Sequence, residues 1–508
     1  MNNIKNMRDI IDFAAKNYGD NIAFKYKINK NEVDEKSYND LKNDSEAVSN
    51  ALKSLNMIGK HVAIVGQTSY PWIVSYFGVV NSGGVIVPID VQLPADDICE
   101  LIERSDAEIL IYDEIRHDVA ERIKEKSHNV KYIISMNEKL NTEFALSLNE
   151  LMAENRSSFH IEIDEEKLCT ILFTSGTTGK SKGVMLNHRN LTDNAIAFDV
   201  QLKAGTVSMT VLPINHVFCF TMDILKGIHL GLCICINDSV MRVLKNLKLF
   251  KPQVMCLVPM IIESLYNKLI DESKDICKEV VAKVALGGNL KTIYSGGAYL
   301  NPEIIDGMND FGIEVIQGYG MTECSPVIST NNNCEFKRES VGKLISNCEA
   351  KIIDEEIWVR GSSVMMGYYK MPKETEEALV DGWLKTGDLG YIDEDNFVFI
   401  TGRKKNLIIL SNGENVSPEE LENELSKSRL IKEILVSEYK NIIKAEILPD
   451  YEYANNNGIN DIENEIRNLV DKYNCELPTY KRIGMVIIRD TEFEKTTSKK
   501  IKREYTKV

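Results

Sequence analysis

The run Thr174-Ser175-Gly176-Thr177-Thr178-Gly179-Lys180-Ser181-Lys182-Gly183 sets hydroxyls, glycines and two lysines directly behind the apolar stretch 168–173. Glycines let backbone N–H groups turn towards an anion, hydroxyls add donors, and lysines balance the charge. A polyphosphate needs all three, so a nucleoside triphosphate is the first expected ligand. The spacing departs from the P-loop pattern, which requires a glycine five residues before Gly179, where Thr174 stands. A P-loop kinase or ATPase is therefore disfavoured. As a bare pattern, such a run serves equally well as a flexible connection.

Further runs follow in a fixed order. They are Ile316-Gln317-Gly318-Tyr319-Gly320-Met321-Thr322-Glu323, Trp383-Leu384-Lys385-Thr386-Gly387-Asp388, Thr401-Gly402-Arg403-Lys404-Lys405-Asn406, and Lys495-Thr496-Thr497-Ser498-Lys499-Lys500-Ile501-Lys502-Arg503. With the first run they resemble the adenylate-forming superfamily of acyl-CoA synthetases, luciferases and peptide-synthetase adenylation domains, over about residues 10–503. Five ordered motifs are far more specific than any one of them.

The resemblance implies an α/β fold. A large N-terminal domain, 1–402, would hold parallel-sheet αβα subdomains and an antiparallel β section, and a small mobile α+β domain, 403–508, would carry the catalytic lysine. It implies ATP-dependent, AMP-forming activation of a carboxylic acid to an acyl-adenylate, then transfer to a thiol. Coenzyme A is the first choice of acceptor; the alternative is a free-standing adenylation enzyme that loads a carrier protein. A carboxylate is a poor electrophile and both reactants are anionic, so catalysis rests on positioning and on charge stabilisation by lysine, hydroxyls and Mg²⁺.

Residue by residue, the resemblance implies that Thr174, Ser175, Gly176, Thr177, Thr178 and Lys182 cradle the β- and γ-phosphates. Gly296, Gly297 and Ala298 would line the adenine and acyl pocket, Tyr319 would stack on adenine, Thr322 would bond the α-phosphate, and Glu323 would ligate Mg²⁺. Asp388 would accept both ribose hydroxyls beside Arg403, and His216 would lie by the acyl carboxylate. Lys405 matches the hinge and Gly413 the border of a thiol tunnel.

Two family positions differ here. Glu494 stands where a proline usually precedes the Lys-Thr pair, and Lys499 where a glycine usually precedes the catalytic lysine. Counting back from Ile501 and Arg503 assigns the first half-reaction to Lys500 rather than Lys499. The same tail looks like that of some fatty acyl-CoA ligases. The apolar run Val217-Phe218-Cys219-Phe220, and the want of an obvious aspartate after the His216 segment to pair an α-amine, also favour a fatty acid.

Composition bounds the setting. The 508 residues suggest about three to four structural units. A formal charge of -16 argues against a nucleic-acid backbone as partner, so an anionic substrate must find local lysines. Eleven scattered cysteines without a Cys-x-x-Cys framework read as reduced thiols of a cytoplasmic protein, and Cys233 and Cys235, alternating with isoleucines, read as core. The start lacks a signal-peptide pattern, and no apolar run reaches the ~18 residues of a membrane span.

The elements that must position these residues follow from periodicity. Apolar runs predict strands over 61–66, 85–89 and 107–112 and helices over 70–80 and 94–104, a βαβ alternation that puts ligands at carboxyl ends of parallel strands. A helix is expected from Asn187-His188. After about residue 340 short alternating segments predict hairpins. The pattern Ser417-Pro418-Glu419-Glu420 predicts a capped helix, then strands over 433–436 and 442–448, a loop over 455–460 and a helix over 461–473.

Overall fold

Residues 61–112 alternate strand and helix as their apolar runs predict: His61–Val65, Tyr70–Asn81, Val85–Ile89, Ala95–Arg104 and Ile109–Tyr112. The computed structural model describes residues 4–29, 32–136, 144–174, 181–198, 200–273, 277–332, 334–411, 414–495 and 501–503. These first strands are parallel neighbours in an eight-stranded sheet, in which Leu168–Thr174 pairs with Val85–Ile89 in parallel. Leu168–Thr174 then pairs antiparallel with Lys182–Asn187, with Thr174 opposite Lys182. The expected phosphate-binding run therefore begins and ends on the paired strands of a hairpin. The helix comes one strand later, His188–Ile196, where the Asn187 side chain accepts the Asn190 N–H and completes a capping box.

A nine-stranded sheet carries the rest of the large unit. Four of its adjacent strands, Val207–Thr210, Val254–Leu257, Thr292–Ser295 and Glu314–Gly320, run parallel in that order across the sheet. One face buries Met209, Met255, Leu257, Ile293 and Val315 against the helices Pro259–Glu272, Lys278–Ala285 and Pro302–Asp310. Because side chains alternate along a strand, Ser208, Val254, Cys256 and Tyr294 fall on the opposite face. Cys233 and Cys235 are buried in the neighbouring strand Cys233–Ile236, as core residues.

The antiparallel texture expected after residue 340 forms one sheet of Cys348–Ile353, Glu356–Gly361, Leu379–Val380, Trp383–Ile392 and Val398–Arg403. Two compact units are defined by packing. One comprises Met1–Leu300, Ile304–Ala350 and Val359–Leu384, and the other Asn301–Glu303, Lys351–Trp358 and Lys385–Val508. The sequence boundary at 402/403 falls inside the second unit, because the hairpin Trp383–Ile392 with Val398–Arg403 holds most of its residues together.

The second unit has its own core of Val416, Leu421, Val436, Ala445, Ile447, Ile466 and Val470, built from the helices Pro418–Leu425 and Ile462–Glu476 and a three-stranded sheet. Two local expectations fail there. Ser417 does not cap the helix; its hydroxyl turns to the Thr401 carbonyl (3.0 Å) and the Glu419 carboxylate (3.1 Å), and Pro418 at the first position already removes one donor. Residues 455 and 456 end the helix Tyr451–Asn456 rather than open a loop, since Asp450 accepts the Tyr453 N–H at 2.9 Å. Asparagine-rich composition masked that cap.

Candidate active site

The segments singled out by sequence converge on one edge of the nine-stranded sheet. His216 follows the strand Val207–Thr210, Gly296, Gly297 and Ala298 follow Thr292–Ser295, and Tyr319 lies near the end of Glu314–Gly320, just before Thr322 and Glu323. All leave the carboxyl ends of strands that are parallel and adjacent, where open α/β sheets bind ligands.

Local geometry explains the glycines. A Cβ on Gly296 would sit 3.1 Å from the Phe218 ring, so the His216 segment and the Gly296 turn approach each other with no room for a side chain. A Cβ on Gly320 would lie 2.0 Å from the Pro326 carbonyl oxygen. That closeness lets Met321 N–H donate to the same carbonyl at 3.0 Å and shapes the tight turn Thr322–Cys324 that presents Thr322 and Glu323.

Glu323 is held from two sides. Its carbonyl accepts the Met365 N–H at 2.9 Å, and its Oε1 accepts the Tyr368 hydroxyl at 2.9 Å. Burial, and next the Glu323 charge, push the Tyr368 phenol well above its usual range, so it stays a donor. Tyr368 belongs to the short edge strand Gly367–Tyr368, opposite Val184. Lys182, two residues from Val184, shares that face diagonally, and its Nζ sits 4.7 Å from the Tyr368 ring centroid. Lysine, tyrosine and glutamate thus form a continuous chain. Sequence reasoning missed Tyr368, because its partner is 45 positions away and no local pattern joins the two.

Thr174 ends its strand, with its hydroxyl donating to the Lys182 carbonyl at 3.4 Å. Ser175, Gly176, Thr177 and Thr178 lie outside the described residues, as do Gly413 and Lys500. The described chain on either side of 496–500 is anchored, with Lys495 paired to Ile501, Lys495 Nζ 2.5 Å from Glu433, and Arg503 bound to Glu422 and to the Val436 carbonyl.

The second unit positions Asp388, Arg403 and Lys405. Asp388 is 2% exposed and opposes Arg403 in an antiparallel register, with Arg403 Nε 2.7 Å from Asp388 Oδ1. Gly387 N–H and Lys404 Nζ both bond the buried Glu356 carboxylate, each at 2.9 Å, which fixes the turn before Asp388. Lys405 lies exposed in the single turn Lys404–Asn406 that follows Arg403.

One expected pocket wall is core instead. Cys219 and Phe220 are buried, and Phe220 packs among Trp72, Tyr76 and Phe77, its ring centroid 3.9 Å from that of Tyr76. Phe218 faces the Gly296 turn. An aspartate does follow the His216 segment: Asp223, buried in the π-helical turn Cys219–Leu225, was overlooked because seven positions separate it from His216.

Among the described residues no cluster of His, Cys, Asp or Glu could hold a metal by itself, and no helix is long and apolar enough to cross a membrane. A Mg²⁺ held largely by phosphate oxygens needs only one or two protein carboxylates. Glu323, with Oε1 engaged by Tyr368, retains a second hard oxygen, so the site fits such an ion.

The AMP-binding enzyme family model matches residues 11–369, and that of the AMP-binding enzyme C-terminal domain matches 405–507. The chain belongs to the AMP-binding enzyme family. It is similar to the long-chain-fatty-acid–CoA ligase FadD15 of Mycobacterium bovis, at 28% identity over 78% of this chain and 74% of that one. It is also similar to a 4-coumarate–CoA ligase-like protein of Arabidopsis thaliana, at 32% identity over 68% of this chain and 62% of the relative. Its fold matches the crystal structure of the anthranilate CoA ligase AuaEII in complex with anthranoyl-AMP, with TM-score 0.84 and 21% identity, over 97% of this chain and 95% of that one.

Proposed function

We propose that the protein is an AMP-forming acid–thiol ligase that activates an aliphatic carboxylic acid with ATP and transfers the acyl group to coenzyme A. The supporting observation is the convergence of His216, the Gly296 turn and Tyr319 to Glu323 on adjacent strand ends, with Tyr368 bonding Glu323 and Lys182 lying over the Tyr368 ring. Relatives named as fatty-acid and coumarate CoA ligases agree with it.

In the first step a carboxylate oxygen attacks the α-phosphorus, the bond to the β-phosphate bridging oxygen breaks, and pyrophosphate leaves. Thr174, Ser175, Gly176, Thr177, Thr178 and Lys182 hold the β- and γ-phosphates, Thr322 bonds the α-phosphate, and Lys500 neutralises charge as carboxylate meets phosphorus. Tyr319 and the Gly296-Gly297-Ala298 turn bracket adenine, and Asp388 with Arg403 holds the ribose. Mg²⁺, held by Glu323, would offset phosphate charge. In the second step the thiol sulfur attacks the acyl carbon, AMP leaves, and the thiol proton passes to solvent. Residues 403–508 move about Lys405 between steps, and Gly413 borders the thiol path.

Eleven cysteines, none in a disulfide, suit the cytoplasm. The test is acid-dependent ATP–pyrophosphate exchange, followed by thioester formation with coenzyme A. Exchange without any coenzyme A thioester, but with acylation of an added phosphopantetheinylated carrier protein, would replace the acceptor. Absence of exchange with every acid would reject the activity.

A further inference from the structure

The run 496–500, to which Lys500 belongs, has both of its described ends fixed to the strand Ile431–Tyr439 and the helix Pro418–Leu425. Before the run, the Glu433 side chain takes two donors. Its Oε2 accepts the Phe493 N–H at 2.8 Å, and its Oε1 lies 2.5 Å from Lys495 Nζ. Beyond the run, Arg503 donates to the Val436 carbonyl at 3.0 Å and to Glu422 Oε2, while Glu422 Oε1 accepts the Val436 N–H at 2.6 Å. The two ends also meet each other: Lys495 pairs with Ile501, and the Lys502 N–H donates to the Glu494 carbonyl at 2.8 Å.

Burial makes these contacts demanding. The Glu433 and Glu422 side chains are 8% and 14% exposed. Burial pushes the Glu422 carboxyl up to about 7 against the opposing charge of Arg503, so removing either partner leaves the other uncompensated. The side-chain pair of Lys502 with Glu494 is exposed and adds little. Glu494 stands where a proline, with its fixed φ, usually precedes the Lys-Thr pair. In this chain the stiffness comes instead from Glu433 and Glu422, through Lys495 and Arg503.

We propose that Glu422 and Glu433 are positioning residues for adenylate formation, which fix the stems from which Lys500 reaches the reacting carboxylate and α-phosphate. The inference rests on the reading of Lys500 given above. A lysine on a free segment has to be ordered at each turnover, whereas stems already held leave only the run and its side chain to order. Both carboxylates act through Lys500, so they matter only in the half-reaction that uses it.

The test compares the two half-reactions in full-length variants, with thermal midpoints measured alongside. Glu422→Gln and Glu433→Gln should each lower acid-dependent ATP–pyrophosphate exchange by roughly tenfold, through the turnover number rather than the KM for ATP. Thioester formation from a synthetic acyl-adenylate should stay within about twofold of wild type. In a Lys500→Ala background either substitution should cost exchange nothing further, because the group it acts through is gone. Should Glu422→Gln prevent folding, Arg503→Lys reads the same contact. It keeps a charge beside Glu422 but loses the second bond to the Val436 carbonyl, and should lose exchange severalfold with thioester formation spared. Equal losses in both half-reactions, or a full additional loss in the Lys500→Ala background, would show a merely structural role and overturn the proposal. Normal exchange in Glu422→Gln and Glu433→Gln beside an impaired Lys500→Ala would overturn the positioning role alone. Normal exchange in Lys500→Ala would overturn the reading of the lysine and the inference with it.

Discussion

The Tyr368 hydroxyl donates to Glu323 Oε1 at 2.9 Å while the Tyr368 ring lies 4.7 Å from Lys182 Nζ. One side chain thus orients the carboxylate assigned to the metal and receives the lysine assigned to the terminal phosphates. The edge pairing of Gly367–Tyr368 with Lys182–Asn187 places the Tyr368 ring beside Lys182.

Tyr368→Phe should separate these two contacts, because the ring stays for Lys182 and only the hydroxyl is lost. A hydrogen bond to a charged group contributes about 1.5–3 kcal/mol, so a roughly tenfold fall in pyrophosphate exchange is expected, with a raised Mg²⁺ requirement. Tyr368→Leu should add a rise in the KM for ATP. An unchanged Mg²⁺ titration in Tyr368→Phe would show that the hydroxyl does not set the carboxylate.

Lys500→Ala should cut adenylate formation by about a hundredfold or more yet spare thioester formation from a synthetic acyl-adenylate, since in the proposed mechanism the lysine serves only while carboxylate meets α-phosphate. Lys499→Ala should be mild. A larger loss at Lys499 would move the assignment one position back.

Much of this was legible in the chain, for identifiable reasons. Strong apolar periodicity marked residues 61–112, and Asn187 announced the helix His188–Ile196 by its capping chemistry. The segments at His216, Gly296 and Tyr319 were legible as local runs, but their meeting at adjacent strand ends depends on strand order, which no local pattern encodes. Tyr368 and Asp223 were invisible for two different reasons. Tyr368 acts through a long-range pairing, whereas Asp223 sits in an apolar stretch where a single carboxyl reads as a helix-surface residue until burial is known.

Lys405→Pro should block thioester synthesis more than pyrophosphate exchange. Proline fits the helical φ of the turn Lys404–Asn406 and removes the backbone freedom that the proposed domain movement needs. Comparing the two half-reactions checks it, and an equal loss in both would place the hinge elsewhere.

Asp223 should also leave a signature in stability against pH. Burial raises its carboxyl from the ordinary 3.8 to about 7, against the opposing hydrogen bonds of Cys256 and Cys219. Between those values the unfolded chain has released the proton and the folded chain still binds it. Stability from this group is therefore whole below about pH 4, falls as pH rises, and is gone above about 7, a change on the order of 4 kcal/mol. Asp223→Asn keeps the shape and cannot ionise. Its stability relative to wild type should therefore climb across that window, and with it the midpoint of the large unit's thermal transition. A difference that stays level from pH 4 to 7 would mean that the carboxyl is ionised in the folded protein, with a cation or donor already compensating it.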